Sequence, residues 1–234
     1  MPSTDPRRAG LWLVIAGLLA ALIFGVWPAI DLHLSALFYR PETGFWLTQL
    51  PGVETFRNLI WDLTILVFVV ALAGMVLALA GRPLMGVPLR DWAYVAVLYL
   101  LGPILVVNVI LKSHWGRARP ANVGEFGGAH LFTPFWLPTD QCLRNCSFVS
   151  GEVSSTVVMA IAMLVVRPAL GRWLPKGALR IWTVAACLLP PLVAVQRIAT
   201  GRHFASDTVF AAVFMIALAL ALGPIRRRGA GGRI

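Results

Sequence analysis

The chain is built from long apolar runs separated by short polar segments. Each run has close to the roughly 20 residues that a helix needs to cross the hydrocarbon core of a bilayer. There are six of them: Leu11–Ile30, Asn58–Ala80, Trp92–Leu111, Phe148–Leu170, Ala178–Val195 and Ala205–Leu222. The pattern predicts an all-α, polytopic membrane protein, a six-transmembrane-helix bundle that forms a single domain over residues 1–234.

The composition agrees with a lipid environment. Hydrophobic residues make up 59% of the chain and charged residues only 13%, whereas a soluble domain carries about 25% charged residues. The first apolar run follows Arg7 and Arg8, which is also the pattern of a signal peptide. Because the run is longer than the roughly 7–15 apolar residues of a signal peptide, we expect an uncleaved first helix.

The distribution of positive charge predicts the orientation. With a cytoplasmic N-terminus, twelve of the 20 Lys and Arg residues lie inside, and five of the other eight belong to polar clusters described below. By the positive-inside rule both termini are cytoplasmic. The net charge of +10 is spread over short loops, so we expect no nucleic-acid partner. The segment Arg226–Arg228 is interpreted as a membrane anchor.

Three polar clusters stand at the edges of apolar runs: Lys112–Pro120, Ser147–Glu152 and Gln196–Asp207. Ionisable groups beside membrane spans are costly, and they usually mark a functional site. In the six-helix topology all three clusters lie on the outer side of the membrane. We therefore expect them to meet there in one site.

The cations of these clusters suit a phosphate group. Lys112, Arg119 and Arg197 would surround its oxygens, and fixed cations stabilise the charge of phosphoryl transfer. Ser150 and Gly151 open the fourth run, where the free N–H groups of a helix start bind phosphate; an ordinary helix cap is the alternative. Snorkelling to the interface explains each cation singly, but it does not explain their clustering.

His203 and Asp207 are four residues apart at the start of the sixth run, so they share one face of a helix. A neutral imidazole nitrogen can attack phosphorus, and a carboxylate near the other nitrogen fixes the tautomer. We therefore predict His203 as the nucleophile and Asp207 as its partner. A structural histidine at the interface is the alternative.

Together the clusters resemble the signature of the type 2 phosphatidic acid phosphatase superfamily, which reads K-x6-RP, then PSGH, then SR-x5-H-x3-D. The matching residues are Lys112, Arg119 and Pro120, then Ser150 and Gly151, then Arg197, His203 and Asp207. Three positions depart from the signature, with Val149 in place of Pro, Glu152 in place of His, and Gln196 in place of Ser.

This resemblance implies the reaction and the roles. It implies a membrane-embedded lipid phosphatase, with its core motifs over residues 112–207, that works through a phosphohistidine without a metal or another cofactor. Lys112, Arg119, Ser150, Gly151 and Arg197 would bind phosphate, while His203 and Asp207 would act as predicted above. Glu152 takes the place of the histidine that protonates the leaving oxygen. His114 and Arg117 are possible accessory residues, and His114 is a second candidate donor.

The runs Gly102–Asn108, His114–Arg117 and Asn145–Gly151 resemble the bacterial lipid A 4′-phosphatase branch more specifically. That implies a lipid A or other phospholipid substrate in the bilayer of the bacterial inner membrane, with the site facing the periplasm. Undecaprenyl pyrophosphate, phosphatidylglycerol phosphate and phosphotransfer to another lipid stay open. So does a non-catalytic lipid-binding or transport subunit, and the oligomeric state is not predicted.

Several features outside the motifs carry weaker expectations. Cys142 and Cys146 are expected to form a disulfide in an oxidising compartment, with a metal pair as the alternative. Cys187 lies in an apolar run and is expected in the core. The segment Asp31–Arg57 is either an interfacial element or an ordinary loop. Asp62 is expected to pair with a cluster arginine or to bind substrate.

Overall fold

A computed structural model describes residues 5–227. Its helices are α1 (Pro6–Val26), α2 (Ala29–Ala36), α3 (Pro51–Leu79), α4 (Leu89–Tyr99), α5 (Lys112–His114), α6 (Gly151–Leu170), α7 (Lys176–Ala199) and α8 (Ala205–Arg227). A π-helical segment, Leu100–Leu111, joins α4 to α5. The strands β1 (Tyr39–Arg40) and β2 (Gly44–Phe45) form a small antiparallel hairpin, and four short 3₁₀ helices, Trp46–Gln49, Leu84–Gly86, Pro120–Asn122 and Gly124–Phe126, lie in the connections.

The predicted six-helix bundle is confirmed. Among the described residues, six helices are long and apolar enough to cross a membrane: Arg7–Val26, Pro51–Leu79, Leu89–His114, Gly151–Leu170, Lys176–Ala199 and Ala205–Pro224. Every predicted apolar run corresponds to one of them. The C-terminal basic segment was interpreted as an anchor. Its Arg226 donates to Asp91 at 2.8 Å, while Arg228 lies outside the described residues.

Among the boundaries that differ from the prediction, two lie beside the polar clusters. The second spanning helix begins at Pro51, so Arg57 belongs to a membrane helix and not to a loop. Proline is favoured at the first position of a helix because the N–H group that it lacks has no partner there. The rest of the segment predicted as interfacial or loop folds into α2 and the β1–β2 hairpin. The fourth span begins at Gly151, three residues after its predicted start.

Helix α6 lies at the centre of the bundle, in contact with α3, α4, α7 and α8. Small residues such as Ser154, Ser155 and Ala162 are buried along it, and they let the neighbouring helices approach closely. The Thr156 hydroxyl bonds back to the carbonyl of Glu152 at 2.7 Å. The first turn of α6 lies at the end of the bundle where the polar clusters meet.

The third span contains Pro103 and forms a wide helical segment around it. Proline cannot donate to the helix ladder, and residues 100–111 adopt π-helical geometry, which is often found at functional sites. The amide of Asn108 donates to the carbonyl of Pro103 at 2.8 Å. The segment thus carries a polar side chain toward the end of the bundle where the polar clusters lie.

Cys187 is exposed, so the prediction that it belongs to the core was wrong. An apolar run in a membrane helix has a face toward lipid as well as a face toward protein. Sequence hydrophobicity does not distinguish the two, because both environments are apolar.

Gly74 gives a test of the helix packing. A Cβ at this position would lie 2.5–2.8 Å from atoms of the Trp92 ring, which real Cβ atoms do not tolerate. We predict that Gly74→Ala lowers the free energy of unfolding by about 1–3 kcal/mol through overpacking, measured as thermal stability in detergent micelles. Gly25 has open space around its Cβ position, so Gly25→Ala is the matched control. Equal stability of the two variants would contradict the predicted contact.

Candidate active site

The three polar clusters meet at one end of the bundle. A Cβ on Gly151 would lie 3.5 Å from the Lys112 ammonium, which joins the first cluster to the second. The Ser150 amide donates to the main-chain carbonyl of Asp207 at 3.1 Å, which joins the second to the third. The Ser147 amide donates to the Arg117 carbonyl at 2.9 Å. The predicted convergence is therefore confirmed.

A helix C-cap delivers His203 to this site. Gly201 follows the end of α7 with φ of +63°, a conformation that favours glycine. The Arg202 amide donates to the Arg197 carbonyl at 3.0 Å, and the Gly201 amide donates to the Ile198 carbonyl at 3.0 Å. This is the Schellman arrangement. It reverses the chain within six residues, so that Arg197 and His203 reach the same site.

The His203 imidazole is fully buried. Its Nδ1 atom lies 2.8 Å from the carbonyl oxygen of Ser147. A carbonyl only accepts, so Nδ1 carries a proton and the lone pair of the neutral ring lies on Nε2. Nε2 has no hydrogen-bond partner within residues 5–227, and the nearest carboxylate oxygen, Oε2 of Glu152, lies 3.5 Å away.

Asp207 holds His203 less directly than the sequence predicted. Its Oδ2 atom is 3.8 Å from Nδ1 of His203 and accepts instead from the Ser147 hydroxyl at 2.5 Å and from the Phe204 amide at 2.8 Å. Oδ1 accepts from Arg117 at 2.7 Å. Ser147 therefore connects the two predicted partners, because its hydroxyl binds the carboxylate and its carbonyl binds the imidazole.

Arg117, predicted as an accessory residue, lies beneath the site and is completely buried. Its guanidinium donates to Asp207 at 2.7 Å and to Asp31 at 2.8 Å, which gives one cation between two carboxylates. Ser206 donates to Asp31 through its amide at 2.9 Å and its hydroxyl at 2.5 Å. Burial raises the pKa of the Asp31 carboxyl, and Arg117 opposes that rise. The Phe204 ring covers the guanidinium at 4.4 Å.

Two arginines hold the Glu152 carboxylate. Its Oε1 atom lies 3.3 Å from Arg57 and 3.5 Å from Arg197, while Oε2 faces His203. The Nε atoms of both arginines are buried without a hydrogen-bond partner in the described part of the chain. An unsatisfied buried donor is costly. The site is thus built to hold more anionic oxygen than Glu152 supplies.

Asn145 orients two of the predicted phosphate ligands. Its side-chain oxygen accepts from Lys112 at 3.1 Å, and its main-chain oxygen accepts from Arg119 at 2.8 Å. Burial lowers the pKa of the Arg119 guanidinium, while the negative charge of Glu152 acts in the opposite direction. Asn145 therefore holds both cations in the lining of one cavity.

Glu152 and the cations around it line a cavity of about 550 Å³, which we call the catalytic pocket. His203 and Asp207 are not part of this lining, and His203 lies 3.5 Å from the Glu152 carboxylate that is. Its lining includes Glu54, Arg57, Asn108, Lys112, Arg119, Asn145, Gly151, Glu152, Arg197 and Arg202. Sequence reasoning missed Arg57, Asn108, Asn145 and Arg202, and also Asp31 beneath the pocket. Local signals existed for Arg202, which lies beside His203, and for Asn108 and Asn145, which belong to runs that resemble the lipid A 4′-phosphatase branch. Arg57 and Asp31 depend on which helices are neighbours.

Three predicted residues are placed differently. His114 is exposed, with Nδ1 2.8 Å from the Ile110 carbonyl, and it does not line the catalytic pocket. The Ser150 hydroxyl accepts from the Val153 amide at 3.4 Å, which is the helix cap that was considered as the alternative. Asp62 is exposed and also lies outside the lining of this pocket.

Cys142 and Cys146 form a disulfide with Cα atoms 5.6 Å apart, in agreement with the prediction. The bond closes a five-residue ring that contains Asn145. Within residues 5–227, no three His, Cys, Asp or Glu side chains cluster so that they would hold a metal ion.

A comparison with known protein families agrees with this geometry. The family model described as "PAP2 superfamily" matches residues 92–228. This chain belongs to the PAP2 superfamily. The match includes all three motifs and ends within the C-terminal basic segment. Membership was expected from the motif residues, and the expectation is confirmed.

Several curated relatives share part of this PAP2 chain. The lipid A 4′-phosphatase of Francisella tularensis subsp. novicida is 36% identical over 122 residues, which are 52% of each protein. The lipid A 4′-phosphatase of Rhizobium etli is 39% identical over 114 residues, which are 46% of this chain and 39% of the relative. The chain thus spans about half the length, or less, of these relatives.

A solved structure covers almost the whole PAP2 chain. It is a transmembrane PAP2-type phosphatidylglycerolphosphate phosphatase from Bacillus subtilis, with a TM-score of 0.61 and 18% identity over 97% of this chain and 98% of that one. At this identity the similarity shows the fold alone.

The network beneath the site gives a test. We predict that Arg117→Met destabilises the protein by about 3–5 kcal/mol, because two buried carboxylates lose their shared cation. Arg117→Lys keeps the charge but not the planar fork, so an intermediate loss is expected. Thermal unfolding in micelles measures both variants. Arg40 is exposed, so Arg40→Met serves as the control, and an equally small loss for Arg117→Met would refute the network.

Proposed function

We propose that this chain is an integral membrane lipid phosphatase that removes a phosphate monoester through a phosphohistidine on His203. The observation that carries the proposal is the state of Nε2. It is buried, lacks a hydrogen-bond partner among the described residues, and faces a carboxylate that two guanidinium groups hold. A phosphate in the position of that carboxylate would present phosphorus to the imidazole.

In the first step, the substrate phosphate displaces the Glu152 carboxylate. Arg57, Arg197, Lys112 and Arg119 then contact the phosphate oxygens and stabilise the charge that develops in the transition state. The Nε2 lone pair forms a bond to phosphorus, and the bond from phosphorus to the leaving oxygen breaks. Ser147 and Asp207 keep the proton on Nδ1, so the reactive nitrogen stays available.

Glu152 is proposed as the proton donor and acceptor. Once phosphate has taken its place between the arginines and His203, its carboxyl group loses the contacts that favour the ionised form. The carboxylate then takes up a proton from solvent water and donates it to the leaving oxygen. In the second step, the carboxylate takes a proton from water, the hydroxyl attacks phosphorus, and the bond to Nε2 breaks. Inorganic phosphate leaves and the imidazole is restored.

The proposed reaction needs no metal ion, because side-chain cations supply the charge that a metal would otherwise provide. Lys112, Arg119 and Arg197 come from three different parts of the chain, and Arg57 adds a fourth cation. We therefore expect turnover to continue in a chelator.

The leading substrate is lipid A with a phosphate at its 4′ position. The names of the curated relatives, at 36% and 39% identity over about half of this chain, support this choice. We therefore propose the 4′-phosphate of lipid A first, and undecaprenyl pyrophosphate and phosphatidylglycerol phosphate as the alternatives for the same assay.

We further propose that the site faces the periplasm of the bacterial inner membrane, with both termini in the cytoplasm. The charge distribution of the loops supports this orientation. The disulfide gives independent support, because it lies at the same end of the bundle as the catalytic pocket and such bonds persist in oxidising compartments.

The nucleophile is tested by His203→Ala. We predict that this variant loses phosphate release from lipid A by several orders of magnitude, because the attacking nitrogen is gone. Purified protein in micelles is assayed for free phosphate with EDTA present. His33 is exposed and outside the catalytic pocket, so His33→Ala is the control. Unchanged turnover of the His203 variant would eliminate the proposed mechanism, whereas no phosphate release by the unsubstituted protein would favour a non-catalytic role for the pocket.

The role of Glu152 is tested by Glu152→Gln with two leaving groups. Turnover of a sugar phosphate should fall about 10²–10³-fold, since its leaving oxygen needs a proton. Turnover of an aryl phosphate with a nitrophenolate leaving group should fall much less, because this leaving group needs no proton. Vanadate, a mimic of pentacoordinate phosphorus, should bind the variant more tightly because the competing carboxylate charge is removed.

Glu42 is exposed and lies away from the site, so Glu42→Gln is the control for both measurements. Equal losses on the two substrates would show that Glu152 does not transfer the proton. Weaker vanadate inhibition would show that its carboxylate does not compete with phosphate.

A further inference from the structure

A second cavity lies beside the catalytic pocket, on the outer loop. It measures about 540 Å³, within the roughly 300–1,000 Å³ of small-molecule sites. The two cavities share Arg119, Asn145 and Arg202 in their linings. One ligand can therefore extend from one cavity into the other, and we call the second cavity the outer-loop pocket.

The lining of the outer-loop pocket is cationic. Arg119, Arg144 and Arg202 contribute three guanidinium groups, against one carboxylate from Asp140. The amide of Gln141 already donates to that carboxylate at 3.0 Å. Arginines arranged in this way bind phosphate well, because their planar forks match its oxygens.

The walls of the outer-loop pocket are fixed in place. Arg144 and Asn145 lie inside the ring closed by the Cys142–Cys146 disulfide. Just before this ring, the Gln141 side chain accepts from the Leu131 amide at 2.8 Å, which ties two stretches of the outer loop together. A pocket with anchored walls is prepared for a ligand before the ligand arrives, which lowers the entropic cost of binding.

We infer that the outer-loop pocket binds a second phosphate on the headgroup whose first phosphate is hydrolysed. The inference rests on the proposed function and adds to it the substrate class, an amphipathic sugar lipid with two separated phosphates. Arg119 and Arg202 contribute to both pockets, while Arg144 belongs to the outer-loop pocket alone. Arg144 is therefore the residue that distinguishes the two phosphates.

The test uses the full chain in micelles with the His203→Ala substitution, so that bound ligand is not turned over. The probes are deacylated disaccharides that carry either both phosphates or only the phosphate to be hydrolysed, and calorimetry measures their dissociation constants. Adding Arg144→Ala should weaken binding of the bisphosphate about fivefold to tenfold, the effect of one exposed charge-assisted contact. Arg144→Glu should weaken it further.

The expected signature is a loss of preference for the bisphosphate over the monophosphate. Arg40→Ala removes an exposed arginine that lines neither pocket, and it should leave that preference intact. Equal weakening of both probes by the Arg144 substitutions, or no weakening, overturns the inference. Inorganic phosphate is titrated in parallel, and an Arg144-dependent affinity for it that equals the affinity for the bisphosphate would indicate a free-anion site instead.

The proposed function is judged by a separate readout, phosphate release from lipid A by the unsubstituted chain. The binding comparison gives its answer whether or not that release is observed.

Discussion

The site depends on one buried ionic arrangement, the Arg117 guanidinium held between Asp31 and Asp207. These side chains come from α2, the loop after α5 and the first turn of α8. A charge in this position is stable only when its partners are all present, because an unpaired buried ion costs several kcal/mol. The packing of the three segments therefore depends on the guanidinium, which holds Asp207 in place without a substrate.

Ser147 connects Asp207 to the His203 imidazole by hydrogen bonds. The carboxylate accepts from the Ser147 hydroxyl at 2.5 Å, and the carbonyl of the same residue lies 2.8 Å from Nδ1 of His203. Such a chain of hydrogen bonds is strong where water is excluded. It leaves Nε2 as the free end, directed at an anion held by arginines. The buried charges beneath the site thus fix the orientation of the imidazole and leave Nε2 facing Glu152.

Membrane embedding explains why the site can be so polar. Helices in lipid gain little from burying apolar surface against one another, so small residues and buried polar contacts determine their packing. Gly74 against Trp92 and the small residues of α6 follow this rule. The loop before α6 is closed by the disulfide, and its Asn145 accepts hydrogen bonds from Lys112 and Arg119. The cations of the site are therefore positioned by a loop as well as by the helices.

The sequence by itself determined the six helices, the family and the motif residues, because span length and motif spacing are local properties of the chain. It did not reveal Arg57 or Asp31 as members of the site, or the lipid-facing position of Cys187. Nor did it show that Ser147 stands between His203 and Asp207. Only the tertiary structure decided these points, since each depends on which helices are neighbours and on how they are rotated. An apolar pattern in the sequence is the same whether a helix face contacts protein or lipid.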